Sequence, residues 1–321
     1  MVGMNKVFRS ARIATAGLAL SLLLTTCEPL ALRDLAEKLA QGGAKHLYIT
    51  DRDASKIYRC ELDGSNLVEI EQLSGRGNPA MIAVDPAESR LFWTSIPLAI
   101  PPGKVEVISA RFDGSDIRVH FQESDPVAIV PRGLSPKSSA NALFWAGHQN
   151  NTIYRQNYSP SAPSALTMDP AITDTYDIAY CPILDRLFVA DRDSGRIFRI
   201  QVDGTLDATL LLSDGFSMPF NLTVDSQNAQ VYWSDDDGSE LSSNGTIYRC
   251  KADDFLADIE TVVSSAGSLR QLVVSSEEGF IFWADDTSNS IKRANLDGTG
   301  IRTIVSGLQN PRGVALDPVR R

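Results

Sequence analysis

Short apolar runs separated by polar turns recur along this chain, and one unit of that pattern repeats six times. A bulky apolar residue is followed by an aromatic, usually a Trp, a small residue and often an Asp. It reads Leu47-Tyr48-Ile49-Thr50-Asp51, Leu91-Phe92-Trp93-Thr94-Ser95 and Leu143-Phe144-Trp145-Ala146-Gly147 in the first half. It returns as Leu187-Phe188-Val189-Ala190-Asp191, Val231-Tyr232-Trp233-Ser234-Asp235 and Ile281-Phe282-Trp283-Ala284-Asp285. The first aromatics fall at 48, 92, 144, 188, 232 and 282, and all four tryptophans share one phase of the repeat. An apolar strand entered by a turn precedes the motif, as in residues 78–86. A strand ending in Arg follows it, as in Lys56-Ile57-Tyr58-Arg59, Arg196-Ile197-Phe198-Arg199 and Thr246-Ile247-Tyr248-Arg249. Four repeats then carry an Asp-Gly turn, at Asp63-Gly64, Asp113-Gly114, Asp203-Gly204 and Asp297-Gly298. Asp-Gly predicts a hairpin in which both central residues take positive φ. A last strand, such as residues 301–305, closes the unit. Four short antiparallel strands in about 45 residues make a propeller blade.

The two ends of the chain fit together. No strand of the 78–86 type stands before Leu47, but one appears at residues 310–318, just before the chain stops. The pattern therefore predicts an all-β, six-bladed β-propeller of four-stranded blades over residues 46–321, with the first blade closed by the C-terminal strand. Closure removes the exposed sheet edges of an open array.

The N-terminus has a different character. Lys6, Arg9 and Arg12 precede the apolar run 13–24, too short for a comfortable membrane span but suited to a signal peptide over residues 1–26. Leu24-Thr25-Thr26-Cys27 is similar to a bacterial lipobox, with Thr26 where Gly or Ala is usual, which makes Cys27 a candidate for lipid attachment. A plain secretory signal, an uncleaved anchor and an organellar presequence are the other readings. Residues 27–45 read as a spacer or short helix. The expected location is outside the cytoplasm: secreted, periplasmic or held at a membrane by an N-terminal lipid alone. The net charge of −10 argues against nucleic acid and for a basic partner. Beyond Cys27, Cys60, Cys181 and Cys250 show neither a disulfide framework nor zinc spacing, and read as half-buried strand residues.

The six motifs resemble the low-density-lipoprotein-receptor class B, or YWTD, repeats, over nearly all of residues 46–321. The resemblance implies a non-enzymatic module that binds a partner protein. Relatives of this type often carry disulfide-rich growth-factor-like modules alongside; none is written in this sequence, so a receptor role is not carried over. Blade 2 ends its motif in Ser95 and has a Pro-rich insertion at 96–103. Blade 3 ends in Gly147-His148 and replaces Asp-Gly with Tyr158-Ser159-Pro160-Ser161. Blade 5 lacks Asp-Gly at Ala252-Asp253-Asp254 and inserts residues 235–245.

Loops between second and third strands share one face of the disc with the links between blades. They hold Asp51, Arg52, Asp53, His148, Asp191, Arg192, Asp193, Asp235, Asp236, Asp237, Glu240, Asp285 and Asp286. Acids outnumber bases there, so the expected ligand is a basic protein or peptide, with no cofactor. The motif aromatics are expected to pack between blades. An Arg eight residues after the motif end (Arg59, Arg155, Arg199, Arg293) is expected to bond within its own blade, to the motif Asp or to backbone. Asp235-Asp236-Asp237-Gly238 lacks the register of a calcium loop. Asn150, Asn157, Asn221 and Asn244 begin N-glycosylation sequons, Asn221 inside a strand.

The alternative is a metal-dependent hydrolase resembling the gluconolactonase type of six-bladed propeller. Its ligands would stand at the starts of the inner strands, where this chain has Ala80, Arg132, Tyr176, Phe220, Arg270 and Arg312. One residue further on, Asp177, Asn221 and Gln271 offer a polar trio at the channel mouth that could hold calcium. The histidines, His46, His120 and His148, stand beside no Ser or Cys in a nucleophile elbow.

Overall fold

The computed structural model describes residues 46–98, 103–124, 129–166, 168–211, 218–235, 244–254 and 259–317. The expected signal peptide, the spacer and Cys27 lie outside the described residues, as do Asp236, Asp237 and Glu240.

Six four-stranded antiparallel sheets form, one from each repeat. Their inner strands are Pro311–Asp317 for blade 1, then Pro79–Asp85, Pro131–Lys137, Thr175–Cys181, Pro219–Asp225 and Leu269–Ser275 for blades 2 to 6. Each inner strand touches the next, and that of blade 6 touches that of blade 1, so the ring is closed. The C-terminal strand pairs with His46–Asp51, with Leu47 opposite Leu316 and Ile49 opposite Val314, as expected from the two chain ends. Among the described residues there is no α-helix, only the short 3-10 turns Glu71–Leu73, Ser138–Ala140 and His148–Asn150.

The core is six seams rather than one centre. Each buried apolar cluster joins two neighbouring blades, and together they cover all six junctions. That explains two adjacent aromatics in one strand. Successive side chains leave opposite faces of a strand, and in a blade both faces are buried. Phe92 joins the seam with blade 3, whereas Trp93 joins the seam with blade 1. Phe144 and Trp145 divide in the same way, as do Tyr232 and Trp233.

In blades 2 and 5 the hydroxyl of the small fourth motif residue serves a bulge. In blades 2, 3, 5 and 6 the ladder between inner and second strands skips two residues near its start, between Pro79 and Ile82 for example, leaving backbone groups without ladder partners. The Thr94 hydroxyl accepts from Met81 N at 3.1 Å, and that of Ser234 accepts from Asn221 N at 3.1 Å.

The Asp-Gly turns form, but not as expected. Only the glycine takes positive φ, 86° at Gly64 and 80° at Gly298. Gly64 N donates to Glu61 O and Glu61 N to Ser65 O, a three-residue loop with a bulge glycine. The aspartate is there for its side chain: Asp63, Asp113, Asp203 and Asp297 each accept at 2.9 Å from the backbone N–H two residues on. The cysteines also differ from expectation. Among the described residues the three cysteines, Cys60, Cys181 and Cys250, are free and buried rather than half-buried, and burial pushes the thiols of Cys60 and Cys250 up to about 12.

Candidate ligand-binding face

The loop face is built from two backbone layers. The residue after the motif donates its N–H to the link ahead of the inner strand: Arg52 to Asn310, His148 to Val130, Arg192 to Asp174 and Asp286 to Ser268. The motif aspartate locks the same joint. Asp51 accepts from Gln309 N and Asn310 N, both at 2.8 Å. Asp191 accepts from Thr173 N at 2.6 Å and Ser194 N at 3.1 Å. Asp285 accepts from Ser268 N, Thr287 N and Ser288 N. Burial opposes ionisation of Asp285, but Lys292 Nζ at 2.6 Å and Ser288 hold its pKa below the ordinary value.

This corrects the acidic-face expectation at four positions. Asp51, Asp191, Asp235 and Asp285 are buried and are not surface charges, and Asp51, Asp191 and Asp285 are joints of the scaffold. The physical reason is the demand of the link backbone: its N–H groups are withdrawn from water and need acceptors. Asp53 and Asp193 remain exposed, Arg52 pairs with Asp53 at 3.1 Å, and Asp286 is turned inward.

The expected channel-mouth trio does not assemble either. Asp177 Oδ2 accepts from Leu222 N at 2.8 Å and Asn221 Nδ2 at 3.2 Å, while Oδ1 accepts from Ile178 N at 2.9 Å. Gln271 lies elsewhere, bonded through Oε1 and Nε2 to Ile82 N and O of blade 2. These side chains satisfy backbone freed by the bulges. Each runs through a notch left by a glycine: a Cβ on Gly133 would lie 2.0 Å from Asp177 Oδ1, and one on Gly313 2.9 Å from Gln271 Oε1. The oxygens of Asp177 face N–H donors, an environment that does not suit a cation. Burial pushes its carboxyl up to about 7 despite those donors. Among the described residues, no three His, Cys, Asp or Glu side chains stand together as metal ligands.

What the inner strands do bring together is the preceding phase. Tyr176 and Phe220 lie with ring centroids 4.3 Å apart. The Arg132 and Arg192 guanidinium carbons lie 5.2 and 5.0 Å from the Tyr176 ring, and that of Arg270 lies 5.2 Å from Phe220. Asp286 Oδ2 meets Arg270 Nε at 2.6 Å and Arg312 Nη1 at 3.3 Å. Asp174, a residue the sequence reading passed over, meets His148 Nδ1 at 2.6 Å and Arg192 Nε at 3.3 Å. Burial and the nearby Arg270 and Arg52 bring Arg312 down to about 10. Four guanidinium groups thus confront the carboxylates of Asp174, Asp286 and the exposed Asp193. The centre of the face is cationic and aromatic. The signal was present at this phase of the inner strands, since Arg132, Arg270 and Arg312 recur there with Tyr176 and Phe220.

Comparison with known proteins agrees with this architecture. The low-density lipoprotein receptor repeat class B matches residues 279–318, which run from the second strand of blade 6 into the inner strand of blade 1. A low-density lipoprotein receptor-related protein 1 of Pyricularia oryzae is 23% identical over 84% of this chain and 97% of its own length. Low-density lipoprotein receptor-related protein 5 of Mus musculus is 29% identical over 26% of this chain, which spans only 6% of that relative. A crystal structure of a nidogen/laminin complex contains a chain that superposes with a TM-score of 0.71 at 16% identity, covering 86% of this chain and all of that one.

Proposed function

We propose that this chain is a member of the low-density lipoprotein receptor class B (YWTD) repeat family and a non-enzymatic binding module that acts outside the cytoplasm. It seats a protein or peptide on the loop face, with a ligand carboxylate at the arginine–aromatic mouth. The excess of guanidinium over carboxylate at that mouth is the observation that carries the reading. The side chains of Arg132 and Arg312 are half-buried at the mouth, so their guanidinium groups are sheltered yet reachable from the face. A carboxylate is the ligand group that fits such donors, and a charge-assisted bond in so sheltered a place is worth more than one in water. Tyr176 and Phe220 offer the neighbouring surface to an apolar or aromatic residue of the same ligand. The exposed Asp53 and Asp193 suit a basic residue at the rim, which keeps part of the charge reading made from the sequence. Export is supported by the basic start and apolar run at 13–24, and by relatives described as receptor-related proteins.

A displayed peptide library selected on the purified protein tests this. Enriched peptides should carry Asp or Glu near an aromatic, and should be lost on an Arg132→Glu/Arg312→Glu variant. Lys- and Arg-rich peptides that survive that variant but are lost on Asp53→Lys/Asp193→Lys would sink the mouth reading and restore a basic ligand.

A further inference from the structure

One junction of the ring is built differently from the rest. Opposite the first aromatic, the third strand carries Arg59, Arg155, Arg199, Arg249 and Arg293 in blades 1, 3, 4, 5 and 6, but Ser109 in blade 2. Three of these arginines cross to the next blade, which corrects the within-blade expectation for Arg293 and adds to it for Arg199, whose Nε also meets Asp207 of its own blade at 2.8 Å. Arg199 Nη1 donates to Ala252 O and Asp253 O at 3.0 Å, Arg249 Nη1 to Leu296 O at 3.0 Å and Arg293 Nη1 to Leu62 O at 3.3 Å. The turn glycine fills the same seam. A Cβ on Gly64 would lie 1.9 Å from Ile304 O, and one on Gly298 1.7 Å from Val262 O. Between blades 2 and 3 both pieces are missing, because Ser109 is short and blade 3 turns through Tyr158-Ser159-Pro160-Ser161.

A pocket of 490 Å³ stands at this junction, on the face opposite the ligand-binding loops. Arg90, Arg111 and Arg118 line it with Glu88, Asn157 and Ser159. Arg90 is buried and fixed, donating through Nη1 to Ser109 Oγ at 2.9 Å and Asp116 O at 3.1 Å. Its Nη2 meets the Asp116 carboxylate, which also takes Arg118 Nη2 at 2.7 Å, while Arg111 Nε stands off at 3.9 Å. Ser109 in turn bonds His120 Nε2 at 2.7 Å. Burial and the cations Arg90 and Arg118 bring that imidazole down to about 4, so it is neutral and adds no charge. Three guanidinium groups therefore meet the single carboxylate of Asp116, with Glu88 also lining the polar cavity.

We propose that the pocket between blades 2 and 3 binds an oxyanion, a phosphate or sulfate group, held by Arg111 and Arg118 over the fixed guanidinium of Arg90. Planar N–H forks match the oxygens of such a group, and the cavity has room for the molecule that carries it. The site is independent of the loop face and takes a ligand of different chemistry.

Calorimetric titration of the full-length protein, made in a host that does not glycosylate Asn157, decides this. The probes are inorganic phosphate and glucose 6-phosphate, at constant ionic strength. Saturable binding is expected, at least tenfold weaker in Arg111→Gln/Arg118→Gln and several-fold tighter in Asp116→Asn, where the competing carboxylate is neutralised. Tighter binding of glucose 6-phosphate would mark an ester site, and equal or tighter binding of inorganic phosphate a free-ion site. Absence of binding by both probes, or binding unchanged in both variants, overturns the proposal.

Discussion

The seam between blades 5 and 6 and the seam between blades 2 and 3 show two ways of joining the same sheets. At the first, Arg249 reaches across to Leu296 O, and Gly298 lets the turn backbone close onto Val262. At the second, the apolar layer persists, with Phe92, Trp145 and Tyr158 packed together, but the polar clamp beyond it is gone. Its place is taken by a network of Arg90, Ser109 and His120 and by an open pocket. Apolar burial is non-directional and carries each junction. Clamps are directional, and they can be dropped locally when a cavity is wanted.

Substitutions can break that contrast. Gly298→Ala should cost the most, about 2–4 kcal/mol, since a side chain there meets both an unfavourable φ and a backbone oxygen. Ser159→Ala, at the corresponding turn of blade 3, should stay within about 0.5 kcal/mol. Denaturant unfolding of the two variants measures the difference, and equal losses would remove it. Arg249→Met should follow with a loss of about 1.5–3 kcal/mol, because it leaves Leu296 O without its charged donor. Ser109→Ala should cost about 1 kcal/mol, through the bonds to Arg90 and His120.

The inner ends of the seams sharpen the comparison through pH. Asp177 has a folded pKa of about 7, above the 3.8 of an ordinary Asp. The native state therefore holds a proton that the unfolded chain has released, and this group makes stability fall as pH rises from about 4 to about 7. Asp177→Asn should flatten that part of the Tm–pH profile, and an unchanged slope would show that another group sets it. The smallest effect belongs to the loop face. Asp193→Ala should leave Tm within error, whereas Asp285→Ala should lower it clearly by stranding Lys292 and three backbone N–H groups.

Much of the architecture was legible because a blade is written locally. The aromatic pair, the Asp-Gly turns and the inner strand displaced to residues 310–318 were enough for six blades and their closure. Site residues were harder for a reason visible in Asp51, Asp191 and Asp285. An acid in a polar loop looks the same in sequence whether it faces water or two buried N–H groups. Arg199 and Arg293 were placed in the right strand, but their bonds to the next blade were not foreseen, since a local repeat says nothing of its neighbour's carbonyls.

By itself the sequence determined the repeat, the strand order and the faces that had to be buried, because these follow from side-chain alternation and turn chemistry over a few residues. Only the tertiary structure decided which charges survive at the surface. It turned Asp177 and Gln271 into backbone partners and drew Arg132, Tyr176, Phe220, Arg270 and Arg312 together from five blades. It also set the missing arginine of blade 2 against the missing turn of blade 3. Each of these depends on contacts between segments distant in the chain, where the fate of a polar group is set by what the fold places opposite it.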